Sequence, residues 1–191
     1  MTRLVLASGS PQRRTILGDL GLDFEVRVSD VAEQDEGDPA AVAAENARRK
    51  ALAVASAADE LVIGCDTLVA TGSSIWGKPP DEAAARATLR HLSGRTHKVI
   101  SALALVQRGE VRAATAVTQV TFRELDAPTI EWYLATGEWE GRAGGYAIQG
   151  RGAVLVSRIA GDYLNVVGLP VAALLALEPG LMGEFGAAAR P

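Results

Sequence analysis

The decisive stretch is KVISALALVQRGEVRAATAVTQVTFR, residues 98–123. KVISALALV (98–106) and VRAATAVTQVTFR (111–123) are rich in apolar and β-branched residues, and the turn at Arg108–Glu110 between them predicts an antiparallel pair of strands. Outward from this pair, strands and helices alternate. Toward the N-terminus, Leu4–Ala7 reads as a short buried strand. Pro11–Leu20 reads as a helix, with Ser10 as its cap and Pro11 in the first helical position. Phe24–Val28 predicts a second strand, and the acidic, turn-rich residues 30–39 a loop. Residues 40–57, dense in Ala, Glu, Arg and Lys, predict a helix. LVIGCDTLVA (61–70) is a strand with an acid in its middle, SSIWGKPPDE (73–82) a loop, and 81–92 a helix. Toward the C-terminus come a helix at 127–136, the glycine-rich GRAGGYAIQGRG (141–152), a strand at 153–159 and a helix at 170–177. Helices alternating with strands around an antiparallel pair predict an α/β fold with a mixed twisted sheet flanked by helices. Residues 1–180 are expected to form a single domain and 181–191 a flexible tail.

Bulk composition narrows the function. The chain has 191 residues, 48% hydrophobic, enough for a substantial core. A net charge of −4 speaks against non-specific nucleic-acid binding, so basic residues that matter must act locally. One cysteine, Cys65, forbids an internal disulfide and suits a reducing cytoplasm. No secretion signal and no apolar run of membrane-spanning length is seen, so no membrane association is expected.

Four places carry more chemistry than packing requires. The first is ASGSPQRR (7–14), at the joint of a strand and a helix. Unpaired N–H groups at a helix start attract phosphate, and Ser8 and Ser10 add hydroxyls. On a helical wheel Arg13 shares the face of Ile16, Leu17 and Leu20, so it should enter a cleft or meet an acid. The plainer alternative makes Ser10 an ordinary cap and Arg13 and Arg14 solvated surface. The second is Asp66, a carboxylate inside an apolar strand, which calls for a metal, a cation or a substrate proton. Its alternative is a strand that ends early with Asp66 in a turn. Cys65 alternates to the opposite face as a small buried hydrophobe. The third is a pair of lysines. Lys50 lies on a stripe with Ala43, Ala47 and Val54, and Lys78 sits in the stiff loop WGKPP; either alone could be a surface lysine. The fourth is GGYAIQG (144–150), where Gln149 can donate and accept, as reading the edge of a base requires, or can be merely solvated.

Together these stretches resemble the Maf family of nucleoside triphosphate pyrophosphatases. The resemblance covers LASGSPQRRTIL, ENARRKA, IGCDTLVA, GKP, LSGRTHKV, VTQVTFREL, GGYAIQGRGA and NVVGLP in order, nearly the whole chain. It implies a two-lobed unit like the inosine triphosphate pyrophosphatases, with a central cleft and often dimeric, so a homodimer is expected. It implies cleavage of a nucleoside triphosphate to the monophosphate and pyrophosphate with a divalent cation, Mg2+ foremost and Mn2+ as alternative. By the same resemblance Asp66 is the catalytic carboxylate, acting on the attacking water as proton acceptor or through the metal, with Glu33 its metal partner. Ser8, Ser10, Arg13, Arg14, Lys50 and Lys78 handle phosphate. Thr67 and Gln149 resemble the branch acting on dTTP and UTP, including modified pyrimidines. Gln12, where that branch has arginine, departs from it, and Arg142 stands where the family commonly has lysine. The alternatives are a 7-methyl-GTP or broad-range pyrophosphatase, or a regulator of septum formation that binds nucleotide without turnover.

Overall fold

The computed structural model describes residues 2–186. Its frame is a mixed seven-stranded sheet. The strands are β1 (Arg3–Ala7), β2 (Glu25–Val26), β3 (Glu60–Thr71), β4 (Ser74–Trp76), β5 (Thr96–Gln107), β6 (Glu110–Phe122) and β7 (Val156–Ala160). Their order is β2-β1-β3-β5-β6-β7, with β4 added to β3. β1 runs parallel to β2 and β3, and all other pairings are antiparallel. The expected hairpin is β5–β6, in register from Gln107↔Glu110 to Thr96↔Thr121. Arg108 (φ 51°) and Gly109 (φ 82°) both have positive φ at its tip, the backbone a two-residue turn needs to follow strand twist.

The helices are α1 (Pro11–Asp19), α2 (Pro39–Val54), α3 (Glu82–Leu92), α4 (Ala127–Leu134), α5 (Tyr163–Val167), α6 (Val171–Leu177) and α7 (Leu181–Phe185). Asp38, Asp81, Asp126 and Asp162 cap α2, α3, α4 and α5 with their side chains. Alternation along β3 sorts the core by face. Leu61, Ile63 and Cys65 pack with Ile16, Leu17, Leu174 and Phe185 of α1, α6 and α7. Val62, Leu68 and Ala70 pack under Ala43, Ala47 and Ala51 of α2. A third cluster, built on Leu89, Phe122, Tyr133 and Tyr146, fills the far end under α3 and α4.

Several expectations are corrected. The second strand shrinks to Glu25–Val26, the part of 24–28 that stands in register with β1. SSIWGKPPDE contains a strand, because Gly72 (φ 59°) turns the chain so that Ser74–Trp76 pairs back onto β3. Residues 151–155 form a 3-10 turn before β7, so the strand expected at 153–159 starts only at Val156, and α5 lies between it and α6. The tail expected from 181 is not free over 181–186. Leu181 and Phe185 are buried in the core, and Gly186 bridges to Leu22, so apolar burial holds this turn in place. The remainder of that expected tail, 187–191, lies outside the described residues. No helix among the described residues is long and apolar enough to cross a membrane.

Candidate active site

The site opens where an edge of β3 is left unpaired. β5 covers one edge of β3 from Val62 to Ala70. On the other edge β1 stops opposite Gly64 and β4 begins opposite Val69, so Cys65–Leu68 have no strand beside them. The chain leaves the carboxyl end of β1 at this gap and enters α1, the kind of position where open α/β sheets form crevices. A cleft of about 730 Å3 lies here, with Ser8–Arg13, Glu33, Lys50, Asp66 and Thr67 on one side and Lys78, Arg142, Tyr146 and Gln149 on the other.

Asp66 points to the α2 face, as do its alternate neighbours Gly64 and Leu68. It is 4% exposed. Gly64 lets α2 lie directly on β3: a Cβ there would overlap the Ala47 carbonyl oxygen and come within 2.8 Å of the Ala51 Cβ. This close approach lowers two polar residues of α2, one turn apart, onto Asp66. Lys50 Nζ lies 2.6 Å from Asp66 Oδ1, and Asn46 Nδ2 donates to Asp66 Oδ2 at 3.1 Å. Asn46 also exchanges two hydrogen bonds with the backbone of Gln34, fixing the loop that carries Glu33. Glu33 then meets Lys50 from outside, at 2.5 Å. Partial burial pushes the Glu33 carboxyl up, but the hydrogen bond and charge of Lys50, with the charges of Lys78 and Arg13 behind it, outweigh this and hold it below its ordinary range.

The start of α1 is built differently from those of α2 to α5, each of which an aspartate caps. Ser10 does not cap it; its hydroxyl donates instead to Gln12 Oε1 at 3.1 Å. Ser8 Oγ accepts from Ser10 N–H at 3.2 Å and from Arg13 Nη1 at 2.9 Å. Arg13, 8% exposed, also donates from Nε to the Gly168 carbonyl at 2.9 Å and from Nη2 to Thr67 Oγ1 at 3.1 Å. All its partners are neutral, and no carboxylate among the described residues lies within ion-pair distance. Thr67 faces away from Asp66, into this group, and shares a 2.8 Å hydrogen bond with Ser101.

The opposite wall is set by aromatic packing. Tyr146 is buried edge-on against Phe122 and His97, with ring centroids 4.9 and 5.5 Å away. Its hydroxyl lies 2.9 Å from His97 Nε2, and Tyr133 Oη accepts from Ala147 N–H at 3.0 Å. Burial pushes the Tyr133 and Tyr146 phenols up, Tyr133 to about 12, and pulls His97 down to about 4. These contacts fix the loop that ends at exposed Gln149, whose side chain borders the cleft.

Of the residues singled out in the sequence, the fold gathers Ser8, Ser10, Gln12, Arg13, Glu33, Lys50, Asp66, Thr67, Lys78 and Gln149 around this cleft. Arg14 is exposed on α1 and does not line it, because the turn that buries Arg13 carries the next residue outward. Sequence reasoning passed over Asn46, whose only signal is an amide one turn before Lys50 in an alanine-rich helix. It also passed over the Gly168 carbonyl, which no side-chain pattern could reveal. Among the described residues no group of three or more His, Cys, Asp or Glu could hold a metal; the two carboxylates that converge are Asp66 and Glu33, on Lys50.

Comparison with known proteins agrees with this architecture. Residues 3–178 match the family described as Maf-like protein. A protein of Deinococcus radiodurans named dTTP/UTP pyrophosphatase is 45% identical over 187 residues, covering 96% of each chain. One of the same name from Moorella thermoacetica is 50% identical over 176 residues, covering 90% of this chain and 91% of that one. A third, from Pyrococcus furiosus, is 44% identical over 181 residues, covering 93% and 94%. The cleft therefore stands in a family setting that spans almost the entire sequence, and the chain belongs to the Maf-like protein family.

Proposed function

We propose that this chain hydrolyses dTTP, UTP and modified pyrimidine nucleoside triphosphates to the monophosphate and pyrophosphate. The observation that carries this reading is Asp66, buried yet bordering a cleft that it shares with four cations, Arg13, Lys50, Lys78 and Arg142. The names of the relatives support the choice of substrate.

In the reaction a water oxygen bonds to the α-phosphorus, the bond from that phosphorus to the bridging oxygen breaks, and pyrophosphate leaves with the electron pair. Asp66 takes the water proton. Each of its oxygens accepts one protein hydrogen bond, leaving a lone pair free on each. Lys50 and Asn46 fix the carboxylate so that no reorganisation is needed at the moment of transfer. Ser8, Ser10, Arg13, Lys50 and Lys78 handle the phosphates, at the uncapped start of α1 and across from it. Arg14 is the one member of the expected phosphate set that does not line the cleft. Gln12, held by Ser10, and Gln149 contact the base, and Thr67 bears on specificity through Arg13.

Glu33 and Asp66 suit a divalent cation: both are hard oxygen donors meeting at one cationic position, and two carboxylates plus phosphate oxygens are what Mg2+ takes. When bound, the metal would neutralise phosphate charge. A homodimer, as the resemblance implies, and a cytoplasmic location, as the lone Cys65 suggests, belong to the same proposal, and light scattering tests the dimer. The test of function is pyrophosphate release from dTTP, UTP, CTP, GTP and 7-methyl-GTP, run beside Asp66→Asn. Release from dTTP and UTP that disappears in Asp66→Asn, with the melting transition retained, is expected. A near-normal rate in the variant refutes the assignment.

A further inference from the structure

The four cations of the cleft fall into two sets. Arg13 and Lys50 are already engaged by protein groups. Lys78 and Arg142 have no carboxylate within ion-pair distance among the described residues. Arg142 is partly buried, and its Nε is shielded from solvent with no hydrogen-bond partner. A buried guanidinium N–H left unpaired is costly, and native structures seldom tolerate one without a reason.

The backbone holds this side chain in place. Gly144 N–H donates to the Gly77 carbonyl at 3.1 Å, tying the loop of Arg142 to the loop of Lys78. Gly144 adopts φ 69°, and a Cβ there would come within 2.8 Å of Val69, so the loop lies flush on β3. The two cations thus belong to one clamped rim of the cleft, on the side away from α1.

We propose that Arg142, acting beside Lys78, binds the two terminal phosphates of the substrate and so receives the departing pyrophosphate; this rests on the pyrophosphatase reading above. Charge decides for phosphate over base. A neutral uracil or thymine would meet the guanidinium with one carbonyl at a time and leave its charge uncompensated, whereas a phosphate matches its planar fork with two oxygens and opposite charge. Asp66, Lys50 and Arg13 already surround the place where water and α-phosphate must meet. The rim opposite then holds the two terminal phosphates in the bound substrate and meets the charge that grows on them as the α–β bond breaks.

Titration calorimetry in Mg2+ buffer with UMP, pyrophosphate and the non-hydrolysable α,β-imido analogue of UTP tests this, using wild type, Arg142→Ala and Arg142→Lys. Arg142→Ala should weaken pyrophosphate and the analogue by roughly 10- to 100-fold, the size of a lost charge-assisted hydrogen bond, with UMP within about twofold. Arg142→Lys should fall between, because it keeps charge without the fork. Equal weakening of UMP and the analogue would place Arg142 on the nucleoside and overturn the proposal. So would unchanged affinities in Arg142→Ala, or no binding of pyrophosphate or the analogue by wild type. Wild type that binds pyrophosphate but does not hydrolyse UTP would instead sink the reaction and leave the phosphate site standing.

Discussion

Replacing Thr67 by valine tests whether this residue works through Arg13. Valine keeps the shape and removes the hydroxyl, so Arg13 Nη2 loses its 3.1 Å acceptor while Nε and Nη1 keep Gly168 and Ser8. A hydrogen bond to a charged group is worth about 1.5–3 kcal/mol. Two of three tethers survive, so the expected loss in kcat/KM for UTP sits near the lower end, roughly tenfold. Ser101 loses its 2.8 Å partner but still reaches the Asn165 carbonyl at 3.4 Å, so stability should fall by about 1–2 kcal/mol and the fold should persist. The assay is a double-mutant cycle in kcat/KM with Arg13→Ala. If Thr67 acts only by holding Arg13, adding Thr67→Val to Arg13→Ala should change the rate by less than about twofold. Thr67→Ser, which keeps the oxygen, should stay near wild type. A second full tenfold drop in the Arg13→Ala background would mean that Thr67 meets substrate directly, and the reasoning fails.

Three other outcomes follow from the same geometry. Gly64→Ala pushes a Cβ into the Ala47 carbonyl and Ala51; it should destabilise by about 1–3 kcal/mol and, by lifting Asn46 and Lys50 off Asp66, lower kcat far beyond what the folded fraction explains, as melting and kinetics together would read. His97, buried with a pKa of about 4 against an ordinary 6.5, binds its proton more weakly folded than unfolded. Stability should therefore be flat above about pH 6.5 and fall by up to about 3 kcal/mol on acidification toward pH 4, and denaturant titrations of His97→Gln should lack that slope. Glu60, held at about 2 by its hydrogen bond to Arg27 despite burial, loses its contribution only below about pH 4.5, so its window lies mostly beneath that of His97. Lys50→Arg keeps the charge but must fit a planar guanidinium where Lys50 lies 2.5 and 2.6 Å from two carboxylates at 8% exposure; kcat/KM should drop at least about tenfold, and wild-type kinetics would show that only the charge matters.

Much of this site was legible in the sequence because its residues break the local pattern. Asp66 interrupts an apolar strand, Arg13 falls on the buried face of α1, and Lys50 on the alanine stripe of α2; each misplacement signals a partner elsewhere. What was not legible depends on pairings that sequence does not encode locally. Asn46 reads as a solvated helix residue until Gln34, 12 residues earlier, folds back onto it. The sheet edge that opens the cleft depends on where β1 and β4 stop along β3, which only the register decides. The SSIWGKPPDE strand was hidden by its brevity, and α7 by a glycine-rich composition that suggests a tail although Leu181 and Phe185 are core residues. Thr67 adjoins Asp66 in sequence, yet alternation sends the two side chains to opposite faces of the sheet.

That alternation explains how one short segment serves two tasks. On the α2 face, Lys50 pairs with both Asp66 and Glu33, so this cation holds the two carboxylates together at the edge of the cleft. On the other face, Thr67 holds Arg13 together with Ser8 and Gly168, all neutral acceptors, which orient the guanidinium without cancelling its charge. A buried cation surrounded by neutral dipoles is an expensive arrangement for stability alone, since a carboxylate at Thr67 or Ser8 would pair it better. The arrangement makes sense if the missing counter-charge arrives with the ligand. By that logic, Thr67→Glu or Ser8→Asp should raise the melting transition of the empty protein and weaken pyrophosphate binding in titration calorimetry, and a variant that binds pyrophosphate as wild type does would refute the argument.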